Sequence, residues 1–429
     1  MERQTHPHTL TCTRTARGER DDFSTTSGRW ACMAQRYAFF RTCKRGRFLF
    51  TGSVRIAMVC YPAVGGSGVV ATELAYKLAC RGHEVHLVSS EPPFRLGSCL
   101  PALHFHEVVP PDYPVFRYRP YESALAGRLV QLARQGLDLI HVHYAIPHAV
   151  SALLAQLTIA ETLQKKVPFV TTLHGTDTVL VSEDPDLYPI VEVALKASGA
   201  VTAVSEALAS ESQRRFGLAQ APQVIPNFVD TRRFSPTQRK AELRAAYASP
   251  EEVLFVHASN FRPIKQTPWL ITLFARVLEV GVPARLLMIG DGPERPLCER
   301  QSRELGIADR VAFAGTHQDI APLLAIGDVF LLSSKYESFG LAALEALACG
   351  VPVVAPHVGG LPEVILPEAG LLYPLGNLEE ALQAILRVLQ DLPAYRAGAR
   401  AVALRYDAGA IVPTYERLYQ QTLESVAMV

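Results

Sequence analysis

Charge is scarce in this sequence, and no long hydrophobic run lacks polar residues. Charged residues make up 19% of the 429 residues and hydrophobic residues 49%, which excludes a disordered chain, a coiled coil and a polybasic nucleic-acid-binding protein. The longest charge-free run, 139–160, contains three histidines, a proline and a glutamine. That composition indicates a strand followed by a buried helix, so we expect no integral membrane segment and no nucleic-acid partner.

Cysteine motifs are also missing. The eight cysteines are irregularly spaced and none forms a CxxC pair, which argues against a zinc ribbon and against a disulfide framework. No apolar segment of the secretory type is evident either. We therefore expect reduced thiols and a cytoplasmic location.

The net charge of +1 conceals an asymmetry between the start of the chain and the rest. Residues 1–50 carry a net charge of +6 and show no hydrophobic periodicity, whereas the remainder carries −5. We predict that 1–53 is a basic extension, either disordered or not translated, because a strand pattern begins abruptly at Val54. A basic arm or an organellar transit peptide is the alternative.

From Arg55 onward, short apolar runs alternate with amphipathic ones, which is typical of parallel strands covered by helices. The pattern restarts after Pro226. We predict an α/β protein of two Rossmann-like, doubly wound halves that face a central cleft. The predicted domains are 54–226, 227–407 and a C-terminal helix, 408–429, that returns to the first half. Ligands of such folds bind beyond the carboxyl ends of the strands.

The loop after the first strand is rich in glycine, from Gly65 to Gly68, and leads into a helix. Exposed N–H groups and the helix dipole favour a phosphate or a carboxylate there. Residues 66–71 also match GxGxxA, and Glu91 follows the next strand. A nicotinamide-dependent oxidoreductase therefore stays open, as does an ordinary strand-to-helix turn.

Three further places in the first half could carry chemistry. His174 follows a buried strand. We expect the imidazoles of His141 and His143 to point to opposite faces of their strand, and Asp184 and Asp186 to form an ordinary turn. We therefore predict no metal site.

The second half offers a cationic loop and two separated carboxylates. Asn260, Arg262 and Lys265 follow a strand, and basic groups there can neutralise a diphosphate. Glu337 precedes a helix that contains Glu345. The two carboxylates can hold two ends of one extended ligand, with the N-terminus of the helix facing its phosphates.

The stretch from Glu337 to Glu345, with Gly350-Val351-Pro352 and Gly359-Gly360-Leu361-Pro362-Glu363 after it, resembles the E-x7-E region of retaining GT-B glycosyltransferases. The resemblance covers nearly everything after Val54. Strings at 60–74, 93–96, 143–149 and 171–177 are similar to those members that transfer N-acetylglucosamine from UDP-GlcNAc to L-malate, the first step of bacillithiol biosynthesis.

The resemblance implies roles for single residues. Glu345 would hold the ribose and Glu337 a donor-sugar hydroxyl, while Lys265 and Arg262 would bind the diphosphate and His174 would line the sugar site. Catalytic roles are therefore expected for Lys265, Arg262, His174 and Glu337. The remaining donor-binding residues would be Gly65, Gly66, Asn260, Ser338, Phe339, Gly340 and Leu341. The family usually has arginine where Asn260 stands, so Arg262 is expected to supply the missing charge.

The acceptor is expected beside the glycine loop. Malate is a dianion that needs N–H donors and cations, and Arg95 could supply a cation. Ser67, Tyr144, Thr172 and Asn227 would complete the acceptor site. The resemblance implies front-face attack with no cofactor and no metal.

Several alternatives stay open. Another acceptor, such as a sugar or inositol phosphate, would suit the same fold, and so would a nucleotide-sugar epimerase or a non-enzymatic sugar-binding protein. The sequence also leaves the oligomeric state open, including a homodimer.

Overall fold

The protein folds into two parallel sheets, each covered by helices. The structure is a computed structural model and describes residues 52–62, 65–96, 100–112, 115, 117–179 and 181–427. Residues 1–51 of the predicted basic extension lie outside the described residues.

The first sheet contains seven strands in the order β3-β2-β1-β4-β5-β6-β7. Its strands are β1 Arg55–Val59, β2 Glu84–Ser89, β3 Leu103–Glu107, β4 Leu139–His143, β5 Phe169–Leu173, β6 Ala200–Ala203 and β7 Gln223–Val224. The helices along this part of the chain are α1 Ser67–Cys80, α2 Tyr121–Arg134, α3 Val150–Leu163, α4 Thr176–Val179, α5 Tyr188–Ala197 and α6 Glu206–Phe216.

The second sheet contains six strands in the order β10-β9-β8-β11-β12-β13. Its strands are β8 Val253–Ala258, β9 Ala284–Ile289, β10 Val311–Gly315, β11 Val329–Leu331, β12 Val353–Pro356 and β13 Gly370–Tyr373. The helices are α7 Ala241–Ala245, α8 Thr267–Glu279, α9 Arg295–Glu304, α10 Ala321–Ala325, α11 Leu341–Ala348, α12 Leu361–Val364, α13 Leu378–Gln390, α14 Leu392–Leu404 and α15 Ala408–Ala427.

The predicted pair of doubly wound parallel sheets is confirmed. The central strands β1, β4 and β8 are mainly apolar and almost wholly buried, because helices cover both faces of a parallel sheet. The sequence pattern misses β3, whose sequence LHFHE alternates histidine with apolar residues and is only half-buried at the sheet edge.

The chain divides into two compact units. The first comprises the described residues up to Thr172, Glu183–Val201 and the residues from Glu416 onward. The second comprises Leu173–Ser182 and Thr202–Tyr415. The domain boundaries and the cleft expected from the sequence stay predictions.

One helical stretch in the described residues, Ala145–Leu163, is long and apolar enough to be a candidate membrane span. Its mean hydropathy is 1.2, and 33% of it is buried. The stretch connects β4 to β5, and Ala152, Ala155 and Ile159 pack into the core of the first sheet. A crossover helix in a parallel sheet has this composition for the same reason, so the stretch is weak evidence of a membrane span.

Cysteine chemistry differs from the expectation at one position. Cys60, Cys298 and Cys349 are free and buried, and burial raises the pKa of the Cys60 thiol to about 12. Cys80 is disulfide-bonded. The expectation of reduced thiols is therefore wrong for Cys80.

A histidine cluster at the edge of the first sheet predicts sensitivity to acid. His86 Nδ1 lies 2.9 Å from His106 Nε2, and the His86 ring stacks on His104. Burial first, and then the neighbouring histidine charges, lower the pKa of His86 and bring that of His106 to about 4, although Glu84 opposes the shift at His86. The folded chain therefore takes up fewer protons than the unfolded chain.

We expect the free energy of unfolding to be largest above about pH 6.5, the ordinary histidine pKa, and to fall as the pH drops towards 4. Urea unfolding between pH 7.5 and pH 4.5 measures this. Buried histidines elsewhere add to the slope, so the comparison is with His106→Gln, which should lose less stability over that range. The same slope in both proteins would contradict the assignment.

Candidate active site

The strand order places the candidate site residues at the reversal point of each sheet. In the second sheet, β8 lies beside β11. The chain continues from β8 to β9 on one side of this pair and from β11 to β12 on the other. In the first sheet, β1 and β4 have the same relation. A crevice forms beyond the carboxyl ends of such strands, so the loops after β8, β11, β1 and β4 are where a ligand is expected.

A buried histidine orders the loop after β8. His257 Nδ1 lies 2.8 Å from the Leu331 carbonyl oxygen, and its Nε2 lies 2.8 Å from Ser259 Oγ. Burial lowers the pKa of His257 to about 4, although the bond to Leu331 opposes the shift. The neutral ring therefore donates from Nδ1 and accepts the Ser259 hydroxyl at Nε2. The Phe261 N–H donates to the same Ser259 oxygen, 3.3 Å away.

A cation from the loop after β8 contacts a carboxylate from the loop after β11. Lys265 Nζ lies 2.5 Å from Glu337 Oε1, and Ser334 Oγ donates to the same carboxylate oxygen at 2.8 Å. Ser333 Oγ donates to the Lys265 carbonyl oxygen at 2.8 Å. The two charged side chains are 21% and 13% exposed. Lys265, which is predicted to bind the diphosphate, and Glu337, which is predicted to bind the sugar, therefore form a half-buried ion pair.

The Glu337 loop ends at the N-terminus of α11. Gly340, with φ of 92°, is the N-cap residue, and no side chain of the described residues caps this helix. Ser338 and Leu341 are half-buried, whereas Phe339 is buried. Glu345 lies in the second turn of α11 and is only 4% exposed. The uncapped end of a helix suits an anion, as the sequence pattern indicates.

Arg262 and Asn260 differ from Lys265 in their surroundings. The Arg262 side chain is exposed and has no hydrogen bond or ion pair with the residues that the structure describes. Asn260 Oδ1 is buried and, within the same part of the chain, has no hydrogen-bond partner. Asn227 Oδ1 is also buried without a hydrogen-bond partner among the described residues, and Asn227 is 6% exposed.

His174 belongs to the second unit, in the segment that follows β5. It is 9% exposed, and burial lowers its pKa to about 3. The Asp177 carboxylate accepts the N–H groups of His174 at 3.1 Å and of Gly175 at 2.8 Å. The imidazole is therefore neutral at ordinary pH, and its backbone is held by an adjacent turn.

In the first unit, Gly65 and Gly66 are exposed and directly precede α1. Gly66 is the N-cap residue with φ 60° and ψ −134°, which side-chain-bearing residues rarely adopt. Ser67 is the first helical residue and is 8% exposed. No described side chain caps α1, so its first N–H groups can face an anion.

The other predicted acceptor residues of this unit have separate surroundings. Tyr144, at a φ of 92°, donates its N–H to the Thr172 carbonyl oxygen at 3.0 Å. Thr172 is fully buried, and its Oγ1 lies 2.7 Å from His141 Nε2, whose Nδ1 lies 2.7 Å from the Tyr419 hydroxyl. Arg95 is half-buried in the turn after β2. The Thr172 hydroxyl thus already has a protein partner.

The expectation of opposite faces for His141 and His143 is wrong. Their ring centroids are 4.5 Å apart, because residues two apart on a strand share a face. No group of three metal-ligating side chains occurs in the described part of the chain. Asp184 Oδ1 accepts the N–H groups of Asp186 and Leu187, so the predicted turn is confirmed.

Sequence reasoning missed the residues that support the ion pair. Ser333 and Ser334 lie directly after β11, a position that could have drawn attention to them. His257 and Ser259 carry no recognisable motif, because their role depends on the pairing of β8 with β11.

Comparisons with known proteins cover both sheets. The family model described as Glycosyltransferase Family 4 matches residues 64–233, and the one described as Glycosyl transferases group 1 matches residues 251–391. The N-acetyl-alpha-D-glucosaminyl L-malate synthase of Bacillus anthracis is 41% identical over 377 residues, which cover 86% of this chain and 97% of that protein. A D-inositol 3-phosphate glycosyltransferase of Saccharomonospora viridis is 30% identical over 62% of this chain and 60% of its own length.

Solved structures share the fold. The HepE protein of Anabaena in complex with UDP and glucose has a TM-score of 0.70 at 22% identity, over 88% of this chain and all of that one. Sucrose-phosphate synthase from Thermosynechococcus elongatus has a TM-score of 0.70 at 24% identity, over 87% of this chain and all of its own.

Proposed function

This chain belongs to the glycosyltransferase family of the N-acetyl-alpha-D-glucosaminyl L-malate synthases, and we propose that it transfers N-acetylglucosamine from UDP-GlcNAc to the hydroxyl group of L-malate. The identity of 41% over 97% of the Bacillus anthracis enzyme carries this choice of substrates. The Lys265–Glu337 pair beside the N-terminus of α11 supports a nucleotide-sugar donor.

We propose that the donor lies at the carboxyl ends of β8 and β11. Lys265 neutralises the diphosphate, and Arg262, which is exposed and unpaired among the described residues, adds a second cation. Glu345 binds the ribose hydroxyls. Glu337 binds a hydroxyl of the sugar while Lys265 and Ser334 hold its other oxygen. The N–H groups and the dipole at the N-terminus of α11 also attract the negatively charged phosphate oxygens.

We propose that malate binds in the first unit at the N-terminus of α1. The exposed Gly65 and Gly66 allow a carboxylate to approach the first N–H groups of the helix, and Ser67 lies beside them. Arg95 supplies positive charge, and Tyr144 offers a hydroxyl. Thr172 acts on Tyr144 through its backbone contact rather than by touching malate, since its own hydroxyl bonds His141.

The proposed reaction retains the anomeric configuration. The malate hydroxyl oxygen bonds the anomeric carbon of N-acetylglucosamine on the face from which UDP departs, and the bond from that carbon to the diphosphate oxygen breaks. The malate hydroxyl proton passes to the departing diphosphate oxygen. Lys265 and Arg262 stabilise the developing charge, so the protein supplies electrostatics and alignment. His174, which is neutral, lines the sugar site without acting as an acid.

We propose that the protein acts in the cytoplasm. UDP release is measured with UDP-GlcNAc and, in parallel, with L-malate, glycerate, inositol phosphate and no acceptor. We expect release that depends on malate. Equal rates with and without malate would reject the acceptor, and a preference for inositol phosphate would support the acceptor type named for the Saccharomonospora relative.

Ser67→Ala tests the acceptor site. We expect the KM for malate to rise by about tenfold, the scale of one lost hydrogen bond to a charged group, while the KM for UDP-GlcNAc stays unchanged. Thr158→Ala, on the exposed side of α3, is the control, because Thr158 Oγ1 bonds only within its helix. A rise in both KM values, or in neither, would remove Ser67 from the acceptor site.

A further inference from the structure

Helix α6 contacts the loop that carries Glu337. The Tyr336 hydroxyl donates to Glu211 Oε2 at 3.1 Å, and Arg215 Nε donates to Glu211 Oε1 at 2.9 Å. Glu211 and Arg215 are 19% and 31% exposed, so the carboxylate is largely shielded from water. A hydrogen bond to a half-buried carboxylate is among the stronger contacts in a protein. Tyr336 is therefore tied to α6 at the residue next to Glu337.

The same helix also contacts the segment that carries His174. Arg215 Nη1 donates to Ser182 Oγ at 2.8 Å, and the hydroxyls of Ser212 and Thr178 lie 3.0 Å apart. Ser212 and Thr178 are fully buried. The segment from His174 to Ser182 is thus fixed to α6 at two points, one turn of the helix apart.

Between these contacts, the two segments touch directly. A Cβ atom on Gly175 would lie 2.8 Å from the Ser338 Cβ and 3.3 Å from Tyr336 Cε1, so nothing larger than glycine fits at 175. Ser205, the N-cap residue of α6, donates its hydroxyl to the Ser338 carbonyl oxygen at 2.6 Å. Contacts of α6 and of Gly175 thus join the Glu337 loop to the segment that carries His174.

The N-terminus of α6 is held in turn by Glu363, which lies on α12. The Glu363 carboxylate accepts the N–H groups of Glu206 at 2.9 Å and of Ala207 at 3.0 Å. An acidic side chain at this end of a helix is favoured by the helix dipole. The helix is thus anchored at its start, and Glu211 projects from it one and a half turns later.

We propose that Glu211 is a positioning residue: through Tyr336 and Arg215 it fixes the Glu337 loop against the His174 segment, so that the sugar of the donor is gripped from both sides. This proposal rests on the function proposed above for Glu337 and His174. Burial, together with the charge of Glu211, raises the pKa of Tyr336 above its ordinary value, so the phenol stays protonated and donates. Glu211 uses one carboxylate oxygen for each partner.

The test separates the sugar from the nucleotide. Affinities for UDP-GlcNAc and for UDP are measured by calorimetry on the full chain, with Tyr336→Phe, Glu211→Gln and the double variant. Glu206→Gln, an exposed glutamate on the same helix, is the matched control. We expect the two single variants to weaken UDP-GlcNAc about tenfold while UDP changes less than twofold, because UDP lacks the sugar. The double variant should lose no more than one single variant, since both changes remove one interaction.

Kinetics give the second readout. The same variants should lower kcat/KM for UDP-GlcNAc about tenfold and leave the KM for malate unchanged. Unchanged UDP-GlcNAc affinity in both variants, or an equal loss of UDP affinity, would overturn the proposal. Failure of the proposed function has a separate signature, because the wild-type protein would then release no UDP with malate. The ratio of the affinities for UDP-GlcNAc and UDP would still report on the role of Glu211.

Discussion

We expect Lys265→Ala to lower kcat/KM for UDP-GlcNAc by about 10² or more. Enzymes lose activity on this scale when one group that stabilises developing negative charge is removed. The ammonium group sits in a half-buried site, where its attraction to a diphosphate is stronger than in bulk water. Among the described residues, its removal also leaves the Glu337 carboxylate bonded only to Ser334, so Glu337 is less well oriented towards the sugar. Steady-state kinetics with saturating malate measure the effect.

Lys335→Ala is the matched control for Lys265. Lys335 is exposed, and its backbone N–H donates to the Ile264 carbonyl oxygen at 2.8 Å. We expect near wild-type kinetics from it. Equal losses in the two variants would mean that general positive charge, and not the Lys265 position, matters. Wild-type kinetics in Lys265→Ala would mean that the donor site has been misplaced.

The fold was readable from the sequence because its strands are central and parallel. The runs at β1, β4 and β8 are mainly apolar and almost wholly buried, since helices cover both faces of the sheet, and glycine or polar residues interrupt the chain between them. β3 was not readable. β3 lies at the edge of the sheet, where its side chains are only half-buried. Two of its five residues are histidines of the cluster, so the strand has no apolar run that marks it in the sequence.

The site was readable only as separate residues. Lys265 and Glu337 each follow a strand, and the rule that ligands bind beyond strand ends points to both. Their contact depends on β8 pairing with β11, where Val329 lies opposite Phe255, and no spacing in the chain encodes that pairing. The same holds for His257, which joins the two strands through Leu331.

Side-chain networks were the least predictable part. Glu211 lies 125 residues before Tyr336 on a helix with ordinary composition, and its role follows from where α6 lies in the fold. The wrong prediction for His141 and His143 has a simpler reason. Side chains alternate between the faces of a strand, so residues two apart lie on the same face, as these two rings do.

A second large effect is expected at Glu416, where α15 contributes a buried carboxylate to the first unit. Arg81 donates to both of its oxygens, at 2.6 Å and 2.7 Å, and His83 Nε2 lies 3.2 Å from Oε1. The Val54 N–H donates to His83 Nδ1, so the neutral ring carries its proton on Nε2 and donates it to Glu416. Burial alone would raise the pKa of Glu416, but the hydrogen bonds from His83 and Arg81 bring it to about 2.

Glu416→Ala should therefore lower the free energy of unfolding by about 3 kcal/mol, because it leaves the largely buried Arg81 guanidinium unpaired. Urea unfolding at pH 7 measures the loss, with Glu424→Ala, an exposed glutamate on the same helix, as the control that should change stability by less than about 0.5 kcal/mol. Because the folded-state pKa is depressed, the contribution of Glu416 is present above the ordinary glutamate pKa of about 4.3 and is lost as the pH falls towards 2. Wild type and Glu416→Ala should thus converge in stability at low pH. A constant difference between them down to pH 2, or a loss no larger than that of the control, would show that the ion pair does not stabilise the packing of α15.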